Sequence, residues 1–201
     1  MKALILIDIQ NDFLPGGSLE VKGSDAIFPI VNQIQSKFEL IIATQDWHPA
    51  NHKSFASNHE GFKVFDQTTL GGLKQTLWPD HCIQGTKGAE FSERLNQNKI
   101  EVVFRKGTST EIDSYSGFYD NGKLKSTAMA EYLRGKGVKE VYLCGLAGDV
   151  CVYYSAKDAL NEGFRTNIIV DGCKALNEEV FQQQLKELKG KQVRILKAEE
   201  L

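Results

Sequence analysis

The sequence predicts an α/β fold: a doubly wound, mostly parallel six-stranded sheet with helices on both faces, in the manner of Rossmann-like proteins. Two observations support this prediction. Several short runs are almost continuously apolar, as strands buried on both faces must be, whereas a solvated antiparallel sheet more often alternates apolar and polar residues. Longer amphipathic segments separate the runs, and such strand–helix repetition builds a right-handed, doubly wound sheet.

The individual elements follow from these runs in chain order. Six runs are predicted as strands: residues 3–8, 40–44, 101–105, 140–145, 166–171 and 192–196. Four amphipathic segments are predicted as helices: residues 24–36, 126–136, 149–162 and 176–188. The second helix illustrates the reasoning, because Ser126 can cap its start while Gly135 and Gly137 stop it before the next strand.

One connection is much longer than the others. A chain of 201 residues favours a single domain, here spanning residues 1–201. The segment between the second and third strands contains both tryptophans and all four histidines, and long connections in compact domains are usually functional. We therefore expect one domain with a long metal-binding insertion at about residues 45–98.

The composition excludes several kinds of partner. The chain has 24 Lys and Arg residues against 26 Asp and Glu residues, so it lacks the basic field that binds nucleic acid or an anionic membrane. The first apolar stretch is broken by Asp8 and is too short for a signal peptide or a membrane span, which favours a cytoplasmic protein. The four cysteines form no CxxC pair, so we expect free thiols, with Cys144 and Cys173 used in packing.

Three reactive side chains follow the ends of predicted strands. Asp8 ends the first run, Lys106 follows the third, and Cys151 follows a glycine turn after the fourth. Open α/β sheets bind ligands at the carboxyl ends of their strands, so we expect these side chains to meet there. A helix that starts near Asp149, together with Lys106, would lower the pKa of the Cys151 thiol, and Asp8 would act as its base. Each residue alone also fits an ordinary role in packing, capping or solvation.

A second group of residues has the composition of a metal site. Asp46 and His48 are two positions apart in a loop, and His81 in the same insertion is a more distant third ligand. One carboxylate and two imidazoles suit Zn²⁺, Fe²⁺ or Mn²⁺, although this spacing also arises by chance. His52 is left open as a fourth ligand or as a residue behind the ligands, and His59 is left unassigned.

Five segments of the chain match motifs of one enzyme family. They are LILIDIQNDFLPGGSL, TQDWHPANHKSFA, LWPDHCIQGTKGAEF, RKGTSTEIDSYSGFYDN and GLAGDVCVYYSAKDAL. These segments resemble the nicotinamidase branch of the isochorismatase-like cysteine hydrolase family. The first and last mark the broad family, whereas the D-W-H-P and W-P-D-H-C pair points to the branch, and together the segments extend over nearly the whole chain.

The resemblance implies an activity and assigns residues to it. Members of this branch hydrolyse nicotinamide to nicotinate and ammonia in NAD salvage through a cysteine thioester, and one divalent metal is thought to bind the pyridine nitrogen. The implied residues are a catalytic triad of Asp8, Lys106 and Cys151, metal ligands Asp46, His48 and His81, oxyanion-hole amides of Ala147 and Cys151, and pocket aromatics Phe13, Trp78 and Tyr115. A cis peptide bond between Leu146 and Ala147 is implied as well. Zinc is the expected metal, with iron and manganese as alternatives.

Other interpretations fit parts of the pattern. A relative that hydrolyses another small amide, or an enol ether such as isochorismate, would share the fold, but isochorismate hydrolysis needs no thiol and the metal ligands argue against it. A non-catalytic metal-binding scaffold would have no need for three converging polar groups. Nicotinamide is thus the expected substrate, and the sequence leaves open whether pyrazinamide is a second one and whether the chain forms a homo-oligomer.

Overall fold

A computed structural model describes residues 1–201 and has a six-stranded parallel sheet at its centre. The strands pair in the order β5-β2-β1-β6-β7-β8, and every neighbouring pair is parallel. The strand bounds are β1 Lys2–Ile7, β2 Leu40–Asp46, β3 Gln67–Leu70, β4 Leu73–Thr76, β5 Ile100–Lys106, β6 Glu140–Gly145, β7 Arg165–Cys173 and β8 Arg194–Leu196. All six strands predicted from the apolar runs are present, and β3 and β4 form a separate antiparallel hairpin.

Four α-helices connect the strands: α1 Phe28–Ile34, α2 Met129–Gly135, α3 Tyr153–Asn161 and α4 Glu178–Gly190. The chain moves from β1 through α1 towards one edge of the sheet, and from β5 through α2, α3 and α4 towards the other. Right-handed crossovers in opposite directions place α1 on one face and the remaining helices on the other. The doubly wound α/β fold predicted from the sequence is therefore confirmed.

The strand order reverses between β1 and β6. From β1 the chain continues to β2, whereas from β6 it continues to β7, so the two connections leave in opposite directions. In doubly wound sheets this reversal opens a crevice at the carboxyl ends of the two strands, where ligands bind. Asp8 directly follows β1 and Cys151 lies in the turn after β6, so both residues are placed at this crevice.

The centre of the sheet supplies the core. Residues 3–7 of β1 are fully buried, and every residue of β2 is buried as well. Burial of each large aliphatic side chain contributes about 1.5–3 kcal/mol, which explains the continuous apolar runs in these strands. Strand β5 forms an edge of the sheet and alternates between buried and exposed positions, with Val103 40% exposed.

Several predicted helix boundaries were wrong. Helix α2 begins at Met129 rather than near Ser126, because Ala128 has a left-handed conformation (φ 66°) and the Ser126 hydroxyl accepts the Ala128 N–H instead of capping the helix. The predicted helix at 24–36 is a short α-helix between two 3₁₀ turns. The helix predicted from 149 begins with one π-type turn, Gly148–Val152, before α3 starts at Tyr153.

The long connection between β2 and β5 crosses the carboxyl end of the sheet. It contains the β3–β4 hairpin and short 3₁₀ turns but no α-helix. An isolated bridge between Gln10 and Phe91 ties it back to the crevice, and a second bridge, between His48 and Ile83, joins two parts of the connection. The connection thereby brings His48 and His81 to Asp46 at the end of β2.

Two further findings concern the chain as a whole. All four cysteines are free and buried, as predicted. None of the helices combines the length and the apolar character that a membrane crossing requires.

Candidate active site

The three predicted catalytic residues meet at the crevice. The Lys106 ammonium, at the end of β5, lies 3.0 Å from Asp8 Oδ2 and 3.4 Å from Cys151 Sγ. All three residues are buried. The structure thus brings together a carboxylate, an ammonium and a thiol that are far apart in the sequence.

Lys106 also connects this triad to the predicted metal ligands. Its Nζ lies 2.6 Å from Asp46 Oδ1 and donates to the Ser114 carbonyl oxygen at 2.9 Å. Burial opposes the charge on Lys106, but the Asp46 and Asp8 carboxylates outweigh it and raise the pKa of Lys106 well above its ordinary value. Lys106 therefore remains an ammonium shared between two carboxylates and a thiol.

The surroundings of Cys151 favour the neutral thiol over the thiolate. Burial raises the pKa of Cys151 well above its ordinary value, and the carboxylates of Asp8 and Asp46 add to the effect, while Lys106 opposes it. This direction is opposite to the lowering of the Cys151 pKa that the sequence predicted. Cys151 lies inside the π-type turn and α3 begins only at Tyr153, so the sulfur has no regular helix N-terminus in front of it. A base is needed to generate the thiolate.

Asp8 has the properties of that base. Burial raises the pKa of Asp8, and the neighbouring Lys106 partly offsets this rise. The Thr44 hydroxyl donates to Asp8 Oδ1 at 2.7 Å, while its oxygen accepts the Asp8 N–H at 3.3 Å. Thr44 therefore orients the carboxylate from the adjacent strand β2.

A glutamine fixes Asp46 in a similar way. The Gln10 side chain accepts the Asp46 N–H at 2.8 Å and donates to the Asp46 and Ala89 carbonyl oxygens at 2.8 and 2.9 Å. It thereby holds the end of β2 against the long connection. Neither Thr44 nor Gln10 was identified from the sequence, where the available signal was a polar residue within or directly after a buried apolar run.

Asp46, His48 and His81 converge as predicted for metal ligands. The Nε2 atom of His48 lies 3.5 Å from Asp46 Oδ1, and that of His81 lies 3.8 Å from Asp46 Oδ2. His48 Nε2 is buried without a hydrogen-bond partner. A buried carboxylate and two imidazoles whose donor atoms lie within 4.8 Å of one another fit a divalent cation.

Electrostatics keep Asp46 and His81 in the protonation states that bind a cation, whereas at His48 burial lowers the pKa but the Asp46 carboxylate outweighs it and raises the pKa. Burial lowers the pKa of His81 to about 4, with a further contribution from His48, so His81 is neutral near pH 7. Despite its burial, Asp46 has a pKa well below its usual range because of Lys106 and His48. The carboxylate is therefore ionised and the His81 imidazole is available as a ligand.

The remaining histidines occupy different surroundings. His52 is buried beside His48, with ring centroids 4.6 Å apart. Asp113, which the sequence did not single out, offers a carboxylate oxygen within 4.8 Å of ring nitrogens of both histidines. His59 lies apart, with Nε2 2.7 Å from the Lys53 carbonyl oxygen. His52 and Asp113 thus border the site, and His59 does not.

The thiol and two of the predicted metal ligands, Asp46 and His81, open into one cleft of about 320 Å³, its open mouth included. The three predicted aromatic residues, Phe13, Trp78 and Tyr115, line this cleft. The other residues that line it are Leu19, Val150, Leu176, Ala147, Asp113, Asp46, His81 and Cys151. The rings of Trp78 and Tyr115 meet edge to face with centroids 6.1 Å apart. A small planar ring with a polar substituent fits such an aromatic cleft.

The turn after β6 presents backbone donors to this cleft. The peptide bond between Leu146 and Ala147 is cis, as the family resemblance implied. The Ala147 N–H donates to no group of the protein, while the Ala147 carbonyl accepts N–H groups from Val150 and Val152 at 3.1 Å. Asp149 anchors the turn by accepting two backbone N–H groups, from Leu176 and Asn177, at 2.9 Å.

The fold and this site define a family of hydrolases. Residues 2–200 match the isochorismatase domain, and the chain belongs to that family. Nicotinamidase of Escherichia coli is 45% identical over 180 residues, which cover 88% of this chain and 84% of that protein. A nicotinamidase and pyrazinamidase from Acinetobacter baumanii superimposes with a TM-score of 0.96 at 40% identity, covering 99% of this chain and 97% of that one.

A third relative carries a metal. The pyrazinamidase of Pyrococcus horikoshii was solved in complex with zinc. It superimposes with a TM-score of 0.79 at 38% identity and covers 98% of both chains. Together with the cluster of Asp46, His48 and His81, this similarity supports a divalent metal at the site of this chain.

Proposed function

We propose that this chain is a nicotinamidase, which hydrolyses nicotinamide to nicotinate and ammonia through a thioester on Cys151. The observation that carries the proposal is the shared cleft, where Cys151, His81 and Asp46 open onto one set of aromatic side chains. Nicotinamide has a carboxamide and a ring nitrogen at different positions of one flat ring. The thiol can meet the first while the metal ligands face the second.

The first half of the reaction forms the thioester. Asp8 takes the proton from Cys151 Sγ, and the thiolate attacks the carboxamide carbon while Lys106 stabilises the negative charges. The developing oxyanion accepts hydrogen bonds from the Ala147 and Cys151 amides, and one such donor is worth about 3 kcal/mol in other hydrolases. The carbon–nitrogen bond then breaks, Asp8 returns its proton to the leaving amine, and ammonia departs.

The second half releases the acid. Asp8, again ionised, takes a proton from a water molecule that attacks the thioester carbonyl. The carbon–sulfur bond breaks, Cys151 regains the proton, and nicotinate leaves. Asp8 thus acts as base, acid and base in turn, which requires a carboxylate whose pKa lies above that of an ordinary aspartate, as burial provides.

We further propose zinc as the metal, held by Asp46, His48 and His81. One carboxylate and two imidazoles are a common zinc ligand set in catalytic sites, where a further position stays open. When bound, the ion supplies a Lewis acid that can accept the pyridine nitrogen or a water molecule. A cytoplasmic location, a homo-oligomeric state and activity on pyrazinamide remain predictions from the sequence.

The decisive experiment measures ammonia release from nicotinamide by the zinc-loaded protein. The natural chain is expected to release ammonia, and Cys151→Ala is expected to lose at least about 10³-fold in kcat, because the residual catalysis comes from binding and the oxyanion hole alone. Cys144→Ala is the matched control, since Cys144 is another buried thiol but lies within β6. Zinc content is measured for all three proteins.

The same assay separates the proposal from its rivals. Release from pyrazinamide or another small amide, with none from nicotinamide, would assign a different amidase. Hydrolysis that survives in Cys151→Ala would rule out the thioester. Zinc binding without turnover of any amide would indicate a non-catalytic metal-binding scaffold.

A further inference from the structure

The histidines of the site differ in which ring nitrogen carries the proton. Nδ1 of His48 lies 2.9 Å from the Gly107 carbonyl oxygen, and Nδ1 of His81 lies 2.8 Å from that of Pro79. A carbonyl oxygen only accepts hydrogen bonds, so in each neutral ring Nδ1 is the protonated nitrogen. Nε2 then keeps its lone pair, and both residues are prepared to ligate a metal through Nε2.

The hydrogen bonds of His52 place its proton on the other ring nitrogen. The backbone N–H of Ser54 donates to His52 Nδ1 at 3.1 Å, and the Ser54 hydroxyl lies 2.7 Å from the same nitrogen. A backbone N–H only donates, so Nδ1 must present its lone pair. The proton of the neutral ring is therefore on Nε2, and a protonated nitrogen has no lone pair for a metal.

The Nε2 atom of His52 makes no well-aligned hydrogen bond within the protein, although the Ile112 backbone carbonyl lies near the ring. His52 is 0% exposed, and its Nε2 atom is buried without a hydrogen bond. A buried donor left unpaired costs about 1–3 kcal/mol, which favours a bound molecule that accepts from it. The ring lies directly beside His48, whose own unpaired Nε2 faces Asp46.

Asp113 supplies an acceptor at the same place. Its carboxylate accepts the Ser114 N–H at 2.7 Å and the Gln75 side-chain amide at 3.1 Å, which fixes its orientation. One oxygen lies within 4.8 Å of the nearest ring nitrogens of His48 and His52. Asp113 is 3% exposed and lines the cleft that contains Cys151.

We propose that His52 is a positioning residue rather than a fourth metal ligand, and that His52 Nε2–H and the Asp113 carboxylate together hold a water molecule beside the metal ligands. A water molecule can accept from His52 and donate to Asp113 at the same time, which satisfies both groups. Its importance for catalysis rests on the proposed function, whereas the proton position on His52 does not.

The test reads the ring nitrogens directly by two-bond ¹H–¹⁵N correlation spectra of ¹⁵N-histidine-labelled protein, with and without one equivalent of Zn²⁺. The chain has only four histidines, so His52→Gln and His59→Gln suffice to assign two of them, and His59 is the control outside the site. His52 is expected to carry its proton on Nε2 in both states. His48 and His81 are expected to carry it on Nδ1, with their Nε2 signals shifting on addition of zinc.

A zinc-induced shift of His52 Nε2 equal to those of His48 and His81 would overturn the inference. So would a proton on His52 Nδ1 in the metal-free protein. These outcomes need no enzymatic activity. If the natural chain fails to hydrolyse nicotinamide, the proposed function fails while the assignment of His52 stands.

A kinetic comparison tests the role of the donor. His52→Ala is expected to bind one zinc per chain yet lose about 10–100-fold in kcat/KM for nicotinamide, the usual cost of removing a group behind the ligands. His52→Gln keeps an amide N–H donor and is expected to recover most of that loss. If Gln recovers nothing and both variants fail to retain zinc, His52 is a ligand and the proposal is wrong.

Discussion

At the scale of single residues, neutral buried side chains hold the charged residues of the site in place. Thr44 donates to Asp8 and Gln10 bridges Asp46 to the long connection. Both are buried; Thr44 donates to the carboxylate of Asp8, whereas Gln10 bonds the backbone N–H and carbonyl of Asp46. Buried charges are tolerated only when they are paired and hydrogen-bonded, so Thr44 helps to accommodate the charge of Asp8, while Gln10 fixes the backbone that carries Asp46.

Thr44 provides a test of Asp8 as the base. Its hydrogen bond lowers the pKa of Asp8 against the dominant effect of burial, so Thr44→Val should raise that pKa further. A base must be ionised, so kcat/KM is high above the pKa of Asp8 and falls as the pH drops through it. We therefore expect the acid limb of the kcat/KM profile to move to higher pH in Thr44→Val. Thr44→Ser keeps the hydroxyl and should leave the limb in place, and an unmoved limb in the valine variant would argue against Asp8.

The sequence identified the charged residues of the site but not the neutral residues, such as Thr44, that hydrogen-bond to them. Asp8, Lys106 and Cys151 stand out because each interrupts or follows an apolar run. Thr44 does not stand out, since threonine is common in strands and its partner is 36 positions away. The direction of the Cys151 pKa shift was also beyond the sequence, because the burial and the surrounding carboxylates that raise this pKa depend on tertiary structure.

At the scale of secondary-structure elements, the end of β5 serves two functions. Lys106 is its last residue and joins the triad, while the carbonyl of Gly107 accepts His48 Nδ1 and orients that predicted ligand. Gly107 has φ +65°, and a Cβ atom there would overlap the His48 ring. Only glycine can therefore follow Lys106 without displacing the histidine.

Gly107→Ala is expected to weaken zinc binding by about 10–100-fold, because the alanine side chain pushes His48 out of its ligating orientation. Zinc affinity is measured by competition with a chromogenic chelator. Gly163→Ala is the matched control, since Gly163 also has a positive φ (+83°) but nothing lies within 4 Å of the added Cβ. Both variants should lose about 1–2 kcal/mol of stability from backbone strain. Equal zinc affinities in the two variants would show that Gly107 does not position His48.

The type of each element was predictable where the hydrophobic periodicity was strong. The residues at which the helices begin and end were not. The six apolar runs correspond to the six strands of the sheet, whereas α2 starts later than predicted because Ala128 takes a left-handed conformation. The β3–β4 hairpin was missed although Gly71 and Gly72, both with positive φ, form its two-residue turn. A Gly-Gly pair between two short runs that contain threonine indicates a hairpin, but these runs are too polar to stand out as apolar strands.

At the scale of the whole molecule, stability and function come from different parts of the same sheet. The central residues of the strands lie in one continuous apolar core, whereas the polar groups of the site lie at the carboxyl ends of the strands. Strand β1 pairs with β2 on one side and with β6 on the other, so its centre is enclosed by the sheet as well as by the layers above and below. The polar cluster therefore adjoins the core directly, and Cys151 belongs to both.

Substitution of Ile5 tests how much this core contributes to the free energy of unfolding. It is fully buried at the centre of β1, paired with Ile42 and Leu143. Ile5→Ala should lower the free energy of unfolding by about 2–5 kcal/mol, through lost burial and the cavity left behind. Val180→Ala on α4, where Val180 is 39% exposed, should change it by less than about 0.5 kcal/mol. Urea unfolding measures both, and similar losses in the two variants would contradict this account of the core.

The position of Lys106 between two carboxylates has a consequence for the genetics of this protein. Since one ammonium is shared by Asp46 on the metal side and by Asp8 and Cys151 on the thiol side, substitutions in the two halves of the site are expected to show epistasis. A neutral residue at position 46 leaves Asp8 as the one carboxylate paired with Lys106, so its effect depends on which residue stands at position 8. Residues that share a partner are generally non-additive. An inactivating change at position 106 therefore cannot be attributed to either half alone.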